Sequence, residues 1–218
     1  MSGQSVHELI PAAGHSVRFG GTTLKQYAHV LGLPVIHHSI TAVTRHDAVV
    51  SVTVALASDD GIFDELVRPA FPGARTVTGG ESRAQTVMNG LHSILARDPQ
   101  AEWVMVHDAA RPCLRPGDIT SLVGAVRASG VGGLLAEPVV DTVKESDKAG
   151  RVVRTVDRRR LWRAQTPQMF RLGELRGALE QADAAGLAVT DEASAMEHAG
   201  YPVQLVAGGR HNLKVTVA

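Results

Sequence analysis

The sequence predicts an α/β protein whose sheet is mostly parallel and covered by helices on both faces. Three observations point there. Short apolar runs alternate with stretches of helical period along the 218 residues. The links between them are short, as βαβ units require. Several of the runs end in polar, glycine-bearing segments, which is where an open α/β sheet places its ligand loops.

Taken in order, residues 6–10 form a short strand that stops at Pro11-Ala12-Ala13-Gly14, and a polar loop follows through Thr23. Residues 34–45 carry Ile36, Ile40 and Val43 on one helical face, with Pro34 suited to the first turn. The valine-rich run 49–57 reads as a strand closed by the turn Ser58-Asp59-Asp60-Gly61, which completes a βαβ unit. Helical spacing returns at 82–97 through Val87, Leu91, Ile94 and Leu95, and the strand 103–106 follows. Ile119, Leu122, Val123 and Val126 mark the next helix, and 133–140 the next strand. Between 137 and 168 the rhythm changes: Val139-Val140, Val152-Val153 and Thr155-Val156 flank a Lys148-Ala149-Gly150 turn, the pattern of a hairpin arm. The valines of this arm have few core-facing neighbours in sequence, so a partner subunit is one surface they could cover. Helices at 172–185 and 191–198 and a strand at 203–206 complete a single domain, 1–218, with the arm inserted in it.

Composition narrows the function. A hydrophobic fraction of 44% supports one substantial core. Lys and Arg number 22 and Asp and Glu 22, so the surface has no basic excess for coating nucleic acid. Aromatic residues make up 4%, too few for a base-stacking platform. Apolar runs fall short of the roughly 20 residues that cross a bilayer, and residues 1–11 lack the pattern of a secretory signal, so a cytoplasmic location is expected. The single cysteine, Cys113, excludes a disulfide framework and reads as a packing residue. No His-x-x-x-His pair with a Glu and no Gly-x-Ser-x-Gly elbow is present.

Four segments carry possible chemistry. The loop from Pro11 to Gly21 lacks the Gly-Lys-Ser/Thr ending of a Walker loop and the Gly-x-Gly-x-x-Gly fingerprint. Its small residues nevertheless let a phosphate approach backbone N–H groups, with Arg18 and Lys25 adding charge. Gly79-Gly80-Glu81-Ser82 feeds a helix with Thr86 in its first turns, a plain turn on its own. His107-Asp108-Ala109-Ala110-Arg111-Pro112 offers a carboxylate for a metal and a guanidinium for a phosphate, or else a structural Asp108–Arg111 salt bridge. Asp157-Arg158-Arg159-Arg160 ends the arm and by itself reads as a solvated face.

These segments, with Lys25-Gln26-Tyr27, Asp141-Thr142-Val143-Lys144, Gln165-Thr166-Pro167-Gln168, Thr190-Asp191-Glu192-Ala193-Ser194 and Asn212-Leu213-Lys214-Val215-Thr216, occur in one family's order. Over nearly its whole length the chain closely resembles the 2-C-methyl-D-erythritol 4-phosphate cytidylyltransferases of non-mevalonate isoprenoid synthesis. The resemblance implies a Rossmann-like nucleotidyltransferase sheet that takes CTP and a sugar-alcohol phosphate, uses Mg²⁺ and releases pyrophosphate. It implies that Arg18 and Lys25 stabilise the transition state and that Arg158 and Lys214 position the attacking phosphate. Pro11, Ala12, Ala13 and Gly14 then belong to the nucleotide loop, and Gly80, Glu81 and Thr86 to the cytosine pocket. Asp108, Arg111, Thr142 and Thr190 fall on the sugar-phosphate side, with Asp108 also facing the nucleotide and the metal. A homodimer through the arm is implied, with Arg158 and Thr142 serving the partner's site. Ribitol 5-phosphate cytidylyltransferase, which shares most of these motifs, and a silent nucleotide-binding protein of the same fold are the alternatives.

Overall fold

The structure, a computed structural model, describes residues 5–14 and 24–216. In chain order the elements are β1 (Val6–Pro11), β2 (His29–Val30), β3 (Leu33–Pro34), α1 (Val35–Thr44), β4 (Val49–Leu56), α2 (Ile62–Leu66), β5 (Arg75–Thr78), α3 (Arg83–Arg97) and β6 (Trp103–Val106). They continue as α4 (Pro116–Ser129), β7 (Gly133–Pro138), β8 (Val143–Ser146), β9 (Val152–Val156), β10 (Trp162–Arg171), α5 (Leu172–Ala184), α6 (Glu192–His198) and β11 (Gln204–Ala207). Lys25–Tyr27 is a single 3-10 turn.

Seven strands form one sheet in the order β11-β7-β10-β6-β1-β4-β5. All of its pairings are parallel except those of β10, which runs antiparallel to β6 and β7. Helices α1 and α4 cover one face, where Ile36, Ile40, Leu122 and Val126 meet Ile10 and Met105. Helices α3, α5 and α6 cover the other, through Leu91, Leu175 and Met196 against Leu9 and Val104. The expected mostly parallel α/β sheet is therefore what the chain builds. Local signals set the helix ends: the Ser82 hydroxyl accepts the Gln85 N–H at the start of α3, and Gly130, at φ 71°, closes α4 in the left-handed region.

The segment read as an arm, 137–168, needs correcting at both ends. Residues up to Pro138 complete β7, and Trp162–Arg171 is a full strand of the central sheet. Within that segment β8 and β9 alone form a separate two-stranded ribbon. Pro167 has no N–H for the ladder. Here it sits where the β10–β7 register is interrupted, between Ala164 and Gln168.

One core position conflicts with its neighbours. Glu8 lies on β1, in register with Val52 and Met105, on the same face as Val6 and Ile10. It is fully buried, and neither carboxyl oxygen has a hydrogen-bond partner among the described residues. Burial pushes its pKa well above the ordinary carboxyl value, so the folded state holds this proton more tightly than the unfolded chain does. Stability is then greatest below the unfolded pKa and declines as pH rises towards the folded one. Glu8→Met, which keeps the volume and removes the unpaired polar atoms, is expected to stabilise the protein by about 1–3 kcal/mol near neutral pH. Urea unfolding at several pH values checks this: the gain should grow with pH, and a loss of stability would contradict the assignment.

Candidate functional site

Beyond the carboxyl ends of β1, β4, β5 and β6 the chain leaves a cleft of about 640 Å³. Its walls are Pro11 to Gly14, Lys25 and Gln26, Ala57 and Ser58, the turn from Gly79 to Arg83 with Thr86, Asp108 to Ala110, and Lys214. This is the location that the topology of an open parallel sheet favours for ligands. Ten of the expected site residues thus come together: Pro11, Ala12, Ala13, Gly14, Lys25, Gly80, Glu81, Thr86, Asp108 and Lys214.

Two loops meet closely on one side of the cleft. A Cβ built on Gly79 would lie 2.4 Å from the Ala13 Cβ, so the turn after β5 can pack on the loop after β1 only with glycine there. Thr86 then locks that turn, its hydroxyl accepting the Gly80 N–H at 3.1 Å and donating to the Ser82 carbonyl at 2.8 Å. Gln26, buried, donates to the Ala12 carbonyl at 3.0 Å, and Tyr27 donates to Asp60 at 2.6 Å. Lys25 is consequently carried on a turn anchored on its C-terminal side.

Asp108 is the electrostatic centre. Its Oδ1 lies 3.0 Å from Arg83 Nη1, and its Oδ2 lies 2.8 Å from Lys214 Nζ and 3.4 Å from Arg111 Nε. Burial opposes its ionisation, but the charges of Arg83, Lys214 and Arg111 outweigh burial and hold its pKa well below the ordinary carboxylate range. Its backbone N–H donates to the Thr166 hydroxyl at 2.9 Å. That hydroxyl also meets His107 Nδ1 at 3.0 Å, and His107 Nε2 lies 3.1 Å from the Arg111 carbonyl. A carbonyl can only accept, so Nε2 carries the proton and Nδ1 accepts from Thr166. Burial lowers the His107 pKa to about 4, which keeps the ring neutral and this chain of bonds intact at neutral pH.

Lys214 arrives on an irregular C-terminal segment that is tied down repeatedly. Asn212 donates to the Thr166 carbonyl at 2.8 Å, the Val215 N–H donates to the Ala110 carbonyl at 2.8 Å, and His211 pairs with Asp118 at 2.7 Å.

Other expected site residues lie elsewhere. Arg111 is buried behind Asp108, where it donates to the Asn212 carbonyl at 2.7 Å and does not line the cleft. Thr142, Arg158 and Thr190 are exposed and do not line the cleft. Arg18 lies outside the described residues. Asp108 does not suit the expected role of Mg²⁺ ligand, because both of its oxygens face cations that would repel a divalent ion. Among the described residues no group of three or more His, Cys, Asp and Glu side chains gathers to hold a metal. Arg83, for which the sequence suggested no role of its own, proves central, joining α3 to Asp108 and to Glu192.

Comparison with known proteins shows the family and the fold. Residues 6–218 match the family model of 2-C-methyl-D-erythritol 4-phosphate cytidylyltransferase. The enzyme of that name from Aeromonas hydrophila is 46% identical over 208 residues, covering 95% of this chain and 83% of the relative. Its counterpart from Pseudomonas aeruginosa is 46% identical over 209 residues, covering 95% and 89%. A crystal structure of 4-diphosphocytidyl-2C-methyl-D-erythritol synthase superposes with a TM-score of 0.84 at 38% identity, covering 98% of this chain and 93% of the other. The structure of the cytidylyltransferase from Thermus thermophilus gives 0.80 at 30% identity, covering 97% and 93%.

Proposed function

The chain belongs to the 2-C-methyl-D-erythritol 4-phosphate cytidylyltransferase family, and from that we propose that it joins CTP to 2-C-methyl-D-erythritol 4-phosphate. The products are 4-diphosphocytidyl-2-C-methyl-D-erythritol and pyrophosphate. One observation carries the reading: a single cleft unites the small-residue loop after β1, the Gly79-Gly80 turn, Lys25, Lys214 and Asp108.

The chemistry suits such a site. An oxygen of the polyol phosphate attacks the α-phosphorus of CTP, and the bond from that phosphorus to the bridging β-phosphate oxygen breaks, releasing pyrophosphate. A phosphate monoester has a second pKa of about 6, so at pH 7 the nucleophile is largely dianionic and needs no general base. The obstacle is repulsion between this dianion and the triphosphate. Lys25 on the β1 side and Lys214 on the C-terminal side offset it, and Arg18 adds to them. Asp108 holds Lys214 at 2.8 Å in the free protein, so the lysine is already in place when the polyol phosphate enters. We assign the Mg²⁺ requirement to an ion carried by the triphosphate oxygens, hard ligands that a cation-saturated Asp108 does not replace.

The subunit arrangement belongs to the same reading. Val152 and Val153 on β9 are 64% and 60% exposed, apolar surface that a second copy of the arm would cover. In such an isologous dimer Arg158 and Thr142 serve the partner's cleft. The described residues contain no helix long and apolar enough to cross a membrane, and a reaction that consumes a nucleoside triphosphate accords with the cytoplasmic location we propose.

Pyrophosphate release measured with each polyol phosphate tests the reading. The expected result is turnover with CTP and 2-C-methyl-D-erythritol 4-phosphate, little with ribitol 5-phosphate, preference for CTP over UTP, ATP and GTP, and loss of activity in excess EDTA. Preference for ribitol 5-phosphate, or equal use of ATP, would overturn it.

A further inference from the structure

Glu192 lies outside the cleft lining, in the first turn of α6, and its side chain is only 2% exposed. An ionised carboxylate is costly to bury unless it is paired and hydrogen-bonded. Both of its oxygens lie 3.0 Å from Arg83 Nη2. The other terminal nitrogen of Arg83 lies 3.0 Å from Asp108 Oδ1, and the other oxygen of Asp108 holds Lys214. Charges therefore alternate from the buried end of α6 to the cleft: Glu192, Arg83, Asp108, Lys214.

The buried end is fixed independently of this chain. Gln168, 1% exposed on β10, accepts the Ala193 N–H at 2.8 Å and donates to Asp191 at 2.9 Å. The Asp191 side chain in turn accepts the Ser194 N–H at 3.0 Å. Thr166, two residues earlier on the same strand, accepts the backbone N–H of Asp108. Both ends of the Glu192–Arg83–Asp108 link are thus mounted on one strand.

We propose that Glu192 is a positioning residue for the cytidylyl transfer, holding Arg83 so that it takes only one oxygen of Asp108 and leaves the other for Lys214. The inference rests on the function proposed above. A guanidinium deprived of Glu192 would turn its planar fork onto the nearest remaining carboxylate, engage both oxygens of Asp108 and displace Lys214. Burial pushes the Glu192 carboxyl up while Arg83 works against it, so the charge on Glu192 depends on this pairing.

Steady-state kinetics of Glu192→Gln, which keeps the volume and removes the charge, test the proposal. The expected result is a kcat about tenfold or more below wild type with the KM for CTP within about threefold, since Lys214 is misplaced and the nucleotide loops are untouched. Because the effect runs through Lys214, adding Glu192→Gln to Lys214→Ala should lower kcat little further. Should Glu192→Gln fail to fold, the paired Arg83→Gln/Glu192→Gln variant leaves no lone buried charge, and its kcat should likewise add little to the Lys214→Ala defect. Wild-type kcat in a folded Glu192→Gln enzyme, or a loss that multiplies in full with Lys214→Ala, would overturn the positioning role alone. A wild-type protein that releases no pyrophosphate from CTP and 2-C-methyl-D-erythritol 4-phosphate would overturn the functional reading and this inference with it.

Discussion

Replacing Lys25 with alanine is expected to lower kcat about a hundredfold or more, the loss typical when one preorganised donor to a developing charge is removed. The fold should survive. Lys25 opens a 3-10 turn whose backbone is held by its neighbours, through Gln26 to the Ala12 carbonyl and through Tyr27 to Asp60. Asp60 in turn accepts the N–H groups of Ile62 and Phe63 at the start of α2, so the anchor reaches a neighbouring element. Truncating the lysine removes a half-buried cation from the cleft wall and leaves these bonds in place. Circular dichroism and thermal melts, run beside initial-rate assays, separate the two effects. Near-normal turnover by a folded variant would contradict the assigned role. Arg18→Ala is expected to behave alike.

Mixed dimers should recover activity that neither parent has. Arg158 is exposed, and among the described residues its guanidinium has no hydrogen-bond or ion-pair partner, while its neighbour Arg159 pairs with Asp157 at 2.6 Å. In the dimer proposed above, Arg158 reaches the partner's cleft. When inactive Arg158→Ala and Lys25→Ala homodimers are dissociated and reassembled together, about half the dimers are hybrids, and in each hybrid one of the two composite sites is intact. Recovery of roughly a quarter of wild-type activity is the expected outcome. No recovery, with hybrid dimers demonstrated by mass, would place Arg158 in cis.

Strands β4 and β6 were legible because both are apolar runs buried in the sheet, and patterning reports burial directly. Strand β10 was not, for the opposite reason. Its central residues, Gln165, Thr166, Pro167 and Gln168, are buried yet polar or ladder-breaking, because they hold Asn212, Asp108 and the start of α6 rather than fill a core. A strand that serves the site is disguised as a loop. The cleft loops, Lys25, Asp108 and Lys214 were readable because each sits in a short motif. The Arg83–Glu192 pair joins residues 109 positions apart, and no local pattern announces such a contact. At Arg111 the Asp-x-x-Arg spacing left a phosphate ligand and a structural salt bridge both open, and in the structure its guanidinium lies 3.4 Å from Asp108 and holds the Asn212 carbonyl.

The reversed direction of β10 has a consequence for how the molecule can be rebuilt. A chain leaving one parallel strand for the next must cross the whole sheet, so any change in that connection disturbs the helical layer. The path from β7 to β10 instead departs and returns at the same rim, with Val139 and Leu161 joined by a backbone hydrogen bond of 3.0 Å. Everything between those two residues is an appendage on a closed loop. Its length, twist and surface can be redesigned, or exchanged for a tight turn, with the strand order left as it is. Since that rim is also the one bearing the cleft, the same freedom determines which foreign surface comes to rest beside the reacting groups.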